Sequence, residues 1–478
     1  MKITFIDPPN FLNKRNVERV FGCTYSLYPI PNIWALYNAS VLKRKGFEVN
    51  YIDMANEGWS KNDFFRFIRI DDSDIYCIYS VNLSMESDLF VSRKIREIKD
   101  NVYIFFCGPA PTYFRQSFLK DEKTFVIRGE TEDTIEELLD SLDKKKEPVS
   151  VKGISFIKRN RMLDTPARPL IENLDMLPHP ARYLLKRDLY YNPKLPKKPF
   201  TVMQTSRNCP YRCIFCVPNS SSFAIELEYR RHNQNRKPPI RLRSAESVIL
   251  EFKKLKEEGY KSVSIIDDQF FWDKERTLKI CEGIKNFGLE WGCLARADHL
   301  DEGTVKALSY AGCRYVDIGI ESFKQEILDD IKKDLKVENI YRAIELLKKY
   351  NILVKINIIL GASVLQSKED IKDDIRTAKT LEVDAVMFSI ATPFPGTEFY
   401  SLAKKNLWFI KGDYYPESVQ TRSIISYPGL NFRELNYLVK FANLSFYLDL
   451  RFLKKNIRYI LNPRYFLNVL KAFKRKFF

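Results

Sequence analysis

The sequence predicts an α/β protein in three parts: a doubly wound parallel sheet over residues 1–145, a partial (β/α)6 barrel over 200–400, and a mostly helical region over 401–478, with 146–199 as a linker. Three observations predict it. Short apolar runs alternate with amphipathic stretches through the first part, the pattern of βα units. The alternation returns after residue 200 with longer repeats. Beyond residue 400 strand signals stop and aromatic, lysine-rich helical stretches take over.

In the first part 3–6 reads as a strand, 32–45 as a helix ending at Gly46, and 47–52 as the next strand. Helices follow over 63–70 and 84–99, strands over 75–79 and 102–106, and a last strand and helix over 124–127 and 131–142. Ligands of open parallel sheets sit outside the carboxyl ends of the strands. The loops there contain Asp7, Pro8, Pro9 and Asn10; Ser80 and Asn82; Gly108, Pro109 and Thr112; and Gly129 and Glu130. Small residues, proline turns and hydroxyls at a sheet edge suit close approach of a large flat ligand. The linker carries a hairpin signal over 153–163 and then Pro166, Pro169, Pro178 and Pro180, with His179 between the last two.

The barrel strands read as 201–205, 262–266, 290–295, 315–320, 354–360 and 385–390, separated by amphipathic helices such as 245–258, 274–286, 301–311, 338–350 and 368–380. Barrel chemistry lies at the carboxyl ends of such strands. Asp267 and Asp268 end the second, Arg296 the third, Glu321 the fourth, Gly361 the fifth and the Thr392–Thr397 loop the sixth. A carboxylate there can take an ammonium or cap a helix, and a guanidinium can hold a carboxylate through paired hydrogen bonds. A glycine leaves room for a nucleoside.

Between the first barrel strand and the first helix lies Cys209-Pro210-Tyr211-Arg212-Cys213-Ile214-Phe215-Cys216. Three thiolates this close can converge on one soft metal centre. Iron–sulfur clusters usually take four cysteinates, so three leave one iron open to a substrate. Zinc is the rival, with His232 as its fourth ligand, because structural zinc sites close with four Cys or His. The other six of nine cysteines are scattered, so no disulfide framework is expected and a reducing cytoplasm is the expected compartment. No signal peptide or membrane-spanning run is read from the sequence.

This loop, with Phe215 directly before its third cysteine, resembles the signature of the radical S-adenosylmethionine (SAM) enzymes. The Gly108-Pro109-x-x-Thr112 and Arg128-Gly129-Glu130 elements ahead of it resemble the Rossmann-like cobalamin-binding domain of the B12-dependent branch, and the resemblance runs from about residue 1 to about 410. It implies a [4Fe-4S] cluster on Cys209, Cys213 and Cys216, and SAM on Phe215, Asp267, Asp268, Arg296, Glu321 and Gly361. It further implies cobalamin on Pro9, Ser80, Asn82, Gly108, Pro109, Thr112, Gly129 and Glu130. The three histidines are His179, His232 and His299, so the first 150 residues offer cobalt no imidazole. The implied reaction is reductive cleavage of SAM to a 5′-deoxyadenosyl radical, with methyl transfer through cobalamin to an unactivated carbon. The alternatives are a radical cyclisation without methyl transfer, a radical SAM enzyme with an empty amino-terminal domain, and a non-catalytic membrane- or nucleic-acid-binding protein with a zinc site. The resemblance also implies reduced ferredoxin or flavodoxin as electron donor.

The net charge of +17 would ordinarily suggest nucleic acid. Its distribution points elsewhere. Residues 451–478 hold nine Lys or Arg, seven aromatics and no acid, the composition of an interfacial anchor on an anionic membrane or of a helix with a solvated basic face. The expected partner is therefore a small, lipid-like substrate, with peripheral contact on the inner face of the cell membrane and no nucleic acid. A basic insertion over 220–243, with Arg230, Arg231, Arg236, Lys237, Arg241 and Arg243, reads as a cover for the site or a solvated loop.

Overall fold

The computed structural model describes residues 1–12 and 15–457, and the rest of the basic tail, 458–478, lies outside the described residues. The chain divides into two units, one of residues 1–191, 201–210 and 217–247, the other of 192–200, 211–216 and 248–478.

The first unit is built on β1 (Lys2–Ile6), β2 (Glu48–Ile52), β3 (Ile75–Tyr79), β4 (Tyr103–Cys107), β5 (Thr124–Ile127), β6 (Ile154–Lys158) and β7 (Arg161–Asp164), in the order β2-β1-β3-β4-β5-β6-β7. The first five strands are parallel and the last two antiparallel. Their crossovers carry α1 (Ile33–Arg44), α2 (Lys61–Ile70), α3 (Met85–Ile98), α4 (Pro109–Tyr113) and α5 (Arg115–Phe118), and α6 (Glu132–Asp143) follows β5. Buried strands of a parallel sheet need apolar residues on both faces, and β3 and β5 are buried at every position. Ile6, Phe64, Ile78, Ile95, Phe106 and Val126 share one core cluster.

The chain reverses its direction of growth between β1 and β3, which makes that gap the switch point of the sheet. The hairpin expected over 153–163 is present as β6 and β7, turned by Arg159 and Asn160 at φ 49° and 61°. Two successive positive φ values match the twist of an antiparallel pair.

The barrel sheet runs β8 (Phe200–Met203), β11 (Ser262–Ile265), β12 (Glu290–Ala295), β13 (Cys313–Glu321), β14 (Leu353–Leu360) and β15 (Ala385–Ile390) in sequential order, while β9 (Ser206–Arg207) and β10 (Arg241–Leu242) form a small ribbon. Its helices are α8 (Ala245–Glu257), α9 (Lys274–Ile284), α10 (Glu302–Tyr310), α11 (Gln325–Asp330), α12 (Val337–Lys349) and α13 (Lys368–Thr380). The insertion after the cysteine loop is not a loop: Ser220–His232 forms α7, started by Asn219, whose side chain accepts the Ser222 N–H. Capping boxes likewise start α2 at Ser60 and α13 at Ser367.

Along β14, Val354, Ile356, Ile358 and Leu360 are buried while Lys355, Asn357 and Ile359 are half-buried, the alternation of a strand with one covered and one open face. Asp317 of β13 joins Lys355 to Lys194, whose ammonium sits 3.6 Å from the centre of the Tyr315 ring. The remaining helices are α14 (Glu398–Lys405), α15 (Phe432–Tyr447) and α16 (Leu450–Lys455). Among the described residues no helix is long and apolar enough to cross a membrane.

Candidate functional site

In the first unit the expected loop residues collect at the carboxyl ends of β1, β3, β4 and β5. Asp7, directly after β1, is buried and accepts Asn32 Nδ2 at 2.8 Å and the Tyr51 hydroxyl at 2.7 Å. Burial pushes its carboxyl up, against the Arg19 guanidinium 3.6 Å away. Arg19 also holds the buried Asp88 through two hydrogen bonds of 3.0 and 2.8 Å. Half-buried Pro9 follows two residues on.

Across the switch point stand Ser80 and Asn82, 0% and 5% exposed, whose Oγ and Oδ1 atoms are enclosed with no hydrogen-bond partner among the described residues. An unmet buried polar atom costs about 1–3 kcal/mol, so each such atom asks for a ligand. Gly108 lies beside them at φ 103°, where a Cβ would come within 2.5 Å of the Ser80 carbonyl oxygen. Only glycine lets the two chains approach this closely. Pro109 opens α4, where its missing N–H costs nothing, and the Thr112 hydroxyl donates to Gly108 O at 2.8 Å while accepting Gly129 N–H at 3.2 Å.

Glu130 has protein partners of its own. It pairs with Arg207 at 2.5 Å and Arg241 at 2.7 Å and accepts the Ile171 N–H. Burial would push it up, yet the two guanidinium groups outweigh burial and hold it below the usual carboxylate range. Arg241 also donates to Asn208, the residue before Cys209, at 2.9 Å.

Helix α7, formed by the insertion, packs on this same edge. Ser220 Oγ donates to Arg19 O at 2.6 Å, Glu228 pairs with Arg128 at 2.9 Å, and a Cβ on Gly129 would lie 3.0 Å from Glu228 Cβ. Four of the insertion's six basic residues are paired with acids within the unit, Arg230 and Lys237 with Glu226, Arg231 with Asp164 and Arg241 with Glu130.

In the second unit the tail of the cysteine loop is clamped by its backbone. Ile214 N–H donates to Ile331 O at 3.1 Å, Ile214 O accepts Phe399 N–H at 2.9 Å, and Cys216 N–H donates to Cys213 O at 3.2 Å. The Tyr211 ring carries the Arg296 guanidinium 3.4 Å from its centre, stacks on Trp272, and places its hydroxyl 2.9 Å from His299 Nε2. Arg296 is further fixed by Asp298 and by the carbonyls of Lys333 and Asp334.

Lys333 ion-pairs with Glu321 at 2.8 Å. Burial would lower the Lys333 ammonium, but Glu321 and the Cys213 thiolate raise it.

Cys209, Cys213 and Cys216 are partly exposed, whereas Cys77, Cys107, Cys281, Cys293 and Cys313 are buried. Burial pushes the Cys77, Cys281 and Cys293 thiols up, which keeps them inert. Among the described residues no three His, Cys, Asp or Glu side chains are gathered as a metal site in advance. The donor set nevertheless suits a soft iron–sulfur cluster in kind: three accessible thiols on one eight-residue loop with cations beside it.

The SAM candidates lie on the second unit's strand ends. Phe215 is half-buried on the loop, Asp267 and Asp268 follow β11, Arg296 follows β12, and Glu321 closes β13 at φ 65°. Gly319 clears the path for Glu321, since a Cβ there would lie 2.7 Å from Glu321 Oε1. Gly361, at φ 73°, has a packing reason of its own: Leu435 Cδ2 stands 2.9 Å from where its Cβ would be, and the Tyr427 hydroxyl donates to its carbonyl.

Residues 203–364 match the Radical SAM superfamily and residues 21–139 match the B12 binding domain. An uncharacterized methyltransferase of Pyrococcus horikoshii is 30% identical over 96% of this chain and 95% of its own. The anaerobic magnesium-protoporphyrin IX monomethyl ester cyclase of Rubrivivax gelatinosus is 23% identical over 77% of this chain and 66% of its own, and the hopanoid C-3 methylase of Methylococcus capsulatus 26% over 77% and 68%. The solved structure of the cobalamin-dependent SAM radical enzyme OxsB, with aqua-cobalamin and SAM bound, superposes with a TM-score of 0.69 at 15% identity, over 99% of this chain and 72% of that one.

Proposed function

We propose that this chain, which belongs to the cobalamin-dependent radical SAM enzymes, transfers a methyl group to an unactivated carbon of a lipid-like small molecule. When bound, the cluster supplies the electron that splits SAM into methionine and a 5′-deoxyadenosyl radical, and cobalamin supplies the carrier for the methyl group. Cys209, Cys213 and Cys216 would hold the cluster, on a loop that Arg296 steadies through the Tyr211 ring. Asp267 and Asp268 would take up the methionyl ammonium of SAM, and Phe215, Arg296, Glu321 and Gly361 would line the rest of its site. Ser80 and Asn82 would bind cobalamin through their unmet Oγ and Oδ1 atoms, with Pro9, Gly108, Pro109, Thr112 and Gly129 around them and Glu130 supporting the loop. Reduced ferredoxin or flavodoxin delivers the electron at the inner face of the cell membrane.

The observation that carries this reading is the pair of unmet polar atoms on Ser80 and Asn82 in the same chain as the three-thiol loop. The hopanoid methylase supports a lipid acceptor, and the cyclase supports the second reading, a radical cyclisation. Mass spectrometry of lipid extracts incubated with enzyme and SAM carrying a deuterated methyl group separates them. A product heavier by one labelled methyl group supports methyl transfer, and a product that gains no label supports cyclisation.

A further inference from the structure

We propose that the outward face of α15 and α16 docks on the surface of an anionic lipid bilayer. The inference is independent of the methyl-transfer reading. The inward face of α15 is spent on the core, with Leu435, Leu438, Val439, Ala442 and Phe446 buried. An ordinary surface helix is polar on its other side. Here Tyr437, Phe441, Leu444 and Leu448 are exposed instead, spaced by four, three and four residues, so that they form one stripe. Tyr437 and Phe441 stack with their ring centres 6.1 Å apart, and Leu450, 71% exposed, continues the stripe into α16.

The exposed charges carried by α15 and α16 themselves have one sign. Every exposed residue from 433 to 457 is either apolar or basic, the basic ones being Arg433, Lys440, Arg451, Lys454 and Lys455. The two acids of this stretch are neutralised: Glu434 pairs with Lys368, and Asp449 with Lys379 and with Arg451, each at 3.0 Å. The sequence beyond, 458–478, adds six Lys or Arg and no acid.

An apolar stripe rimmed by cations is the signature of a helix lying in the plane of a membrane interface, where leucines and aromatics enter the headgroup boundary and lysines meet anionic lipids. A second copy of the chain would meet this face with like charges of its own, Arg433, Lys440 and Lys454, which opposes self-association. A bilayer bearing anionic headgroups matches both the stripe and its rim.

The test is co-sedimentation of the cofactor-loaded full chain with vesicles of phosphatidylcholine alone or mixed with phosphatidylglycerol. The chain is expected to sediment with the mixed vesicles and to be released by high salt. Leu444→Glu with Leu448→Glu should weaken that binding at least about tenfold while iron content and melting temperature stay unchanged. Lys440→Gln with Lys454→Gln, which leaves the stripe intact, should weaken it about threefold or more and reduce its salt dependence. Wild-type binding by both double variants, or no binding of the wild-type chain to mixed vesicles, overturns the proposal. A wild-type dimer that the glutamate variant converts to monomer, without vesicle binding, would assign the face to self-association and overturn it as well.

Discussion

The Arg296 guanidinium lies 3.4 Å from the centre of the Tyr211 ring, a residue inside the cysteine loop itself. A cation over an aromatic face in a partly desolvated place is worth about 1–2 kcal/mol. It anchors the loop between its first and second thiols. Tyr211→Leu should therefore loosen the cluster, and we expect its absorbance near 420 nm to decay several-fold faster in air. Tyr211→Phe keeps the ring and gives up the hydroxyl contact to His299, so it should decay at nearly the wild-type rate. Equal decay of all three proteins would show that the ring does not support the loop.

Cys213→Ala removes the thiolate that Arg296 and Lys333 face. Less than about one-tenth of the cluster iron should remain after desalting, and 5′-deoxyadenosine formation should fall by about 10³-fold, the scale expected when a reacting centre is lost. The melting temperature should change little, because Cys213 is not a buried core thiol.

Ser80→Ala should separate stability from cofactor binding. Its hydroxyl has no partner, so removing it should leave the cofactor-free chain equally stable or up to about 2 kcal/mol more stable. Cobalamin retention should drop, read as corrin absorbance per chain after gel filtration. Gly108→Ala should act differently: at φ 103° and 2.5 Å from Ser80 O it should cost about 3 kcal/mol with or without cobalamin.

The buried Asp374 accepts Ser322 Oγ and Phe323 N–H, each at 2.8 Å, next to the Glu321 strand end, and burial pushes its carboxyl up to about 6. Its folded value lies above the unfolded one near 3.8. The folded chain therefore binds the extra proton, and stability is lost as pH rises through about 6. Asp374→Asn has no charge to suppress. Relative to wild type, it should gain about 1–1.5 kcal/mol in denaturant unfolding between pH 5 and pH 8.

The parts of the fold that repeat were legible in the sequence. Alternating apolar runs located the strands, and strand ends located Ser80, Gly108, Asp267, Arg296 and Glu321, because parallel topology puts chemistry at one edge. Long-range pairing was not legible. Arg19 with Asp88, Arg128 with Glu228 and Glu130 with Arg207 each join residues more than sixty positions apart, and charge alone does not say which partner folding selects. The insertion's arginines looked like a free basic surface for the same reason. The role of Gly361 was half visible: a glycine at a strand end was plain, but Leu435 as its neighbour depends on how the carboxyl-terminal helix packs.

The most direct test of the central claim is native mass spectrometry of the anaerobically reconstituted chain, together with iron, sulfide, cobalt and zinc analysis. One species carrying about four irons and one cobalamin on the same polypeptide is expected. Zinc in place of iron, or a cluster-loaded chain that takes up no cobalamin at saturating concentration, would contradict it.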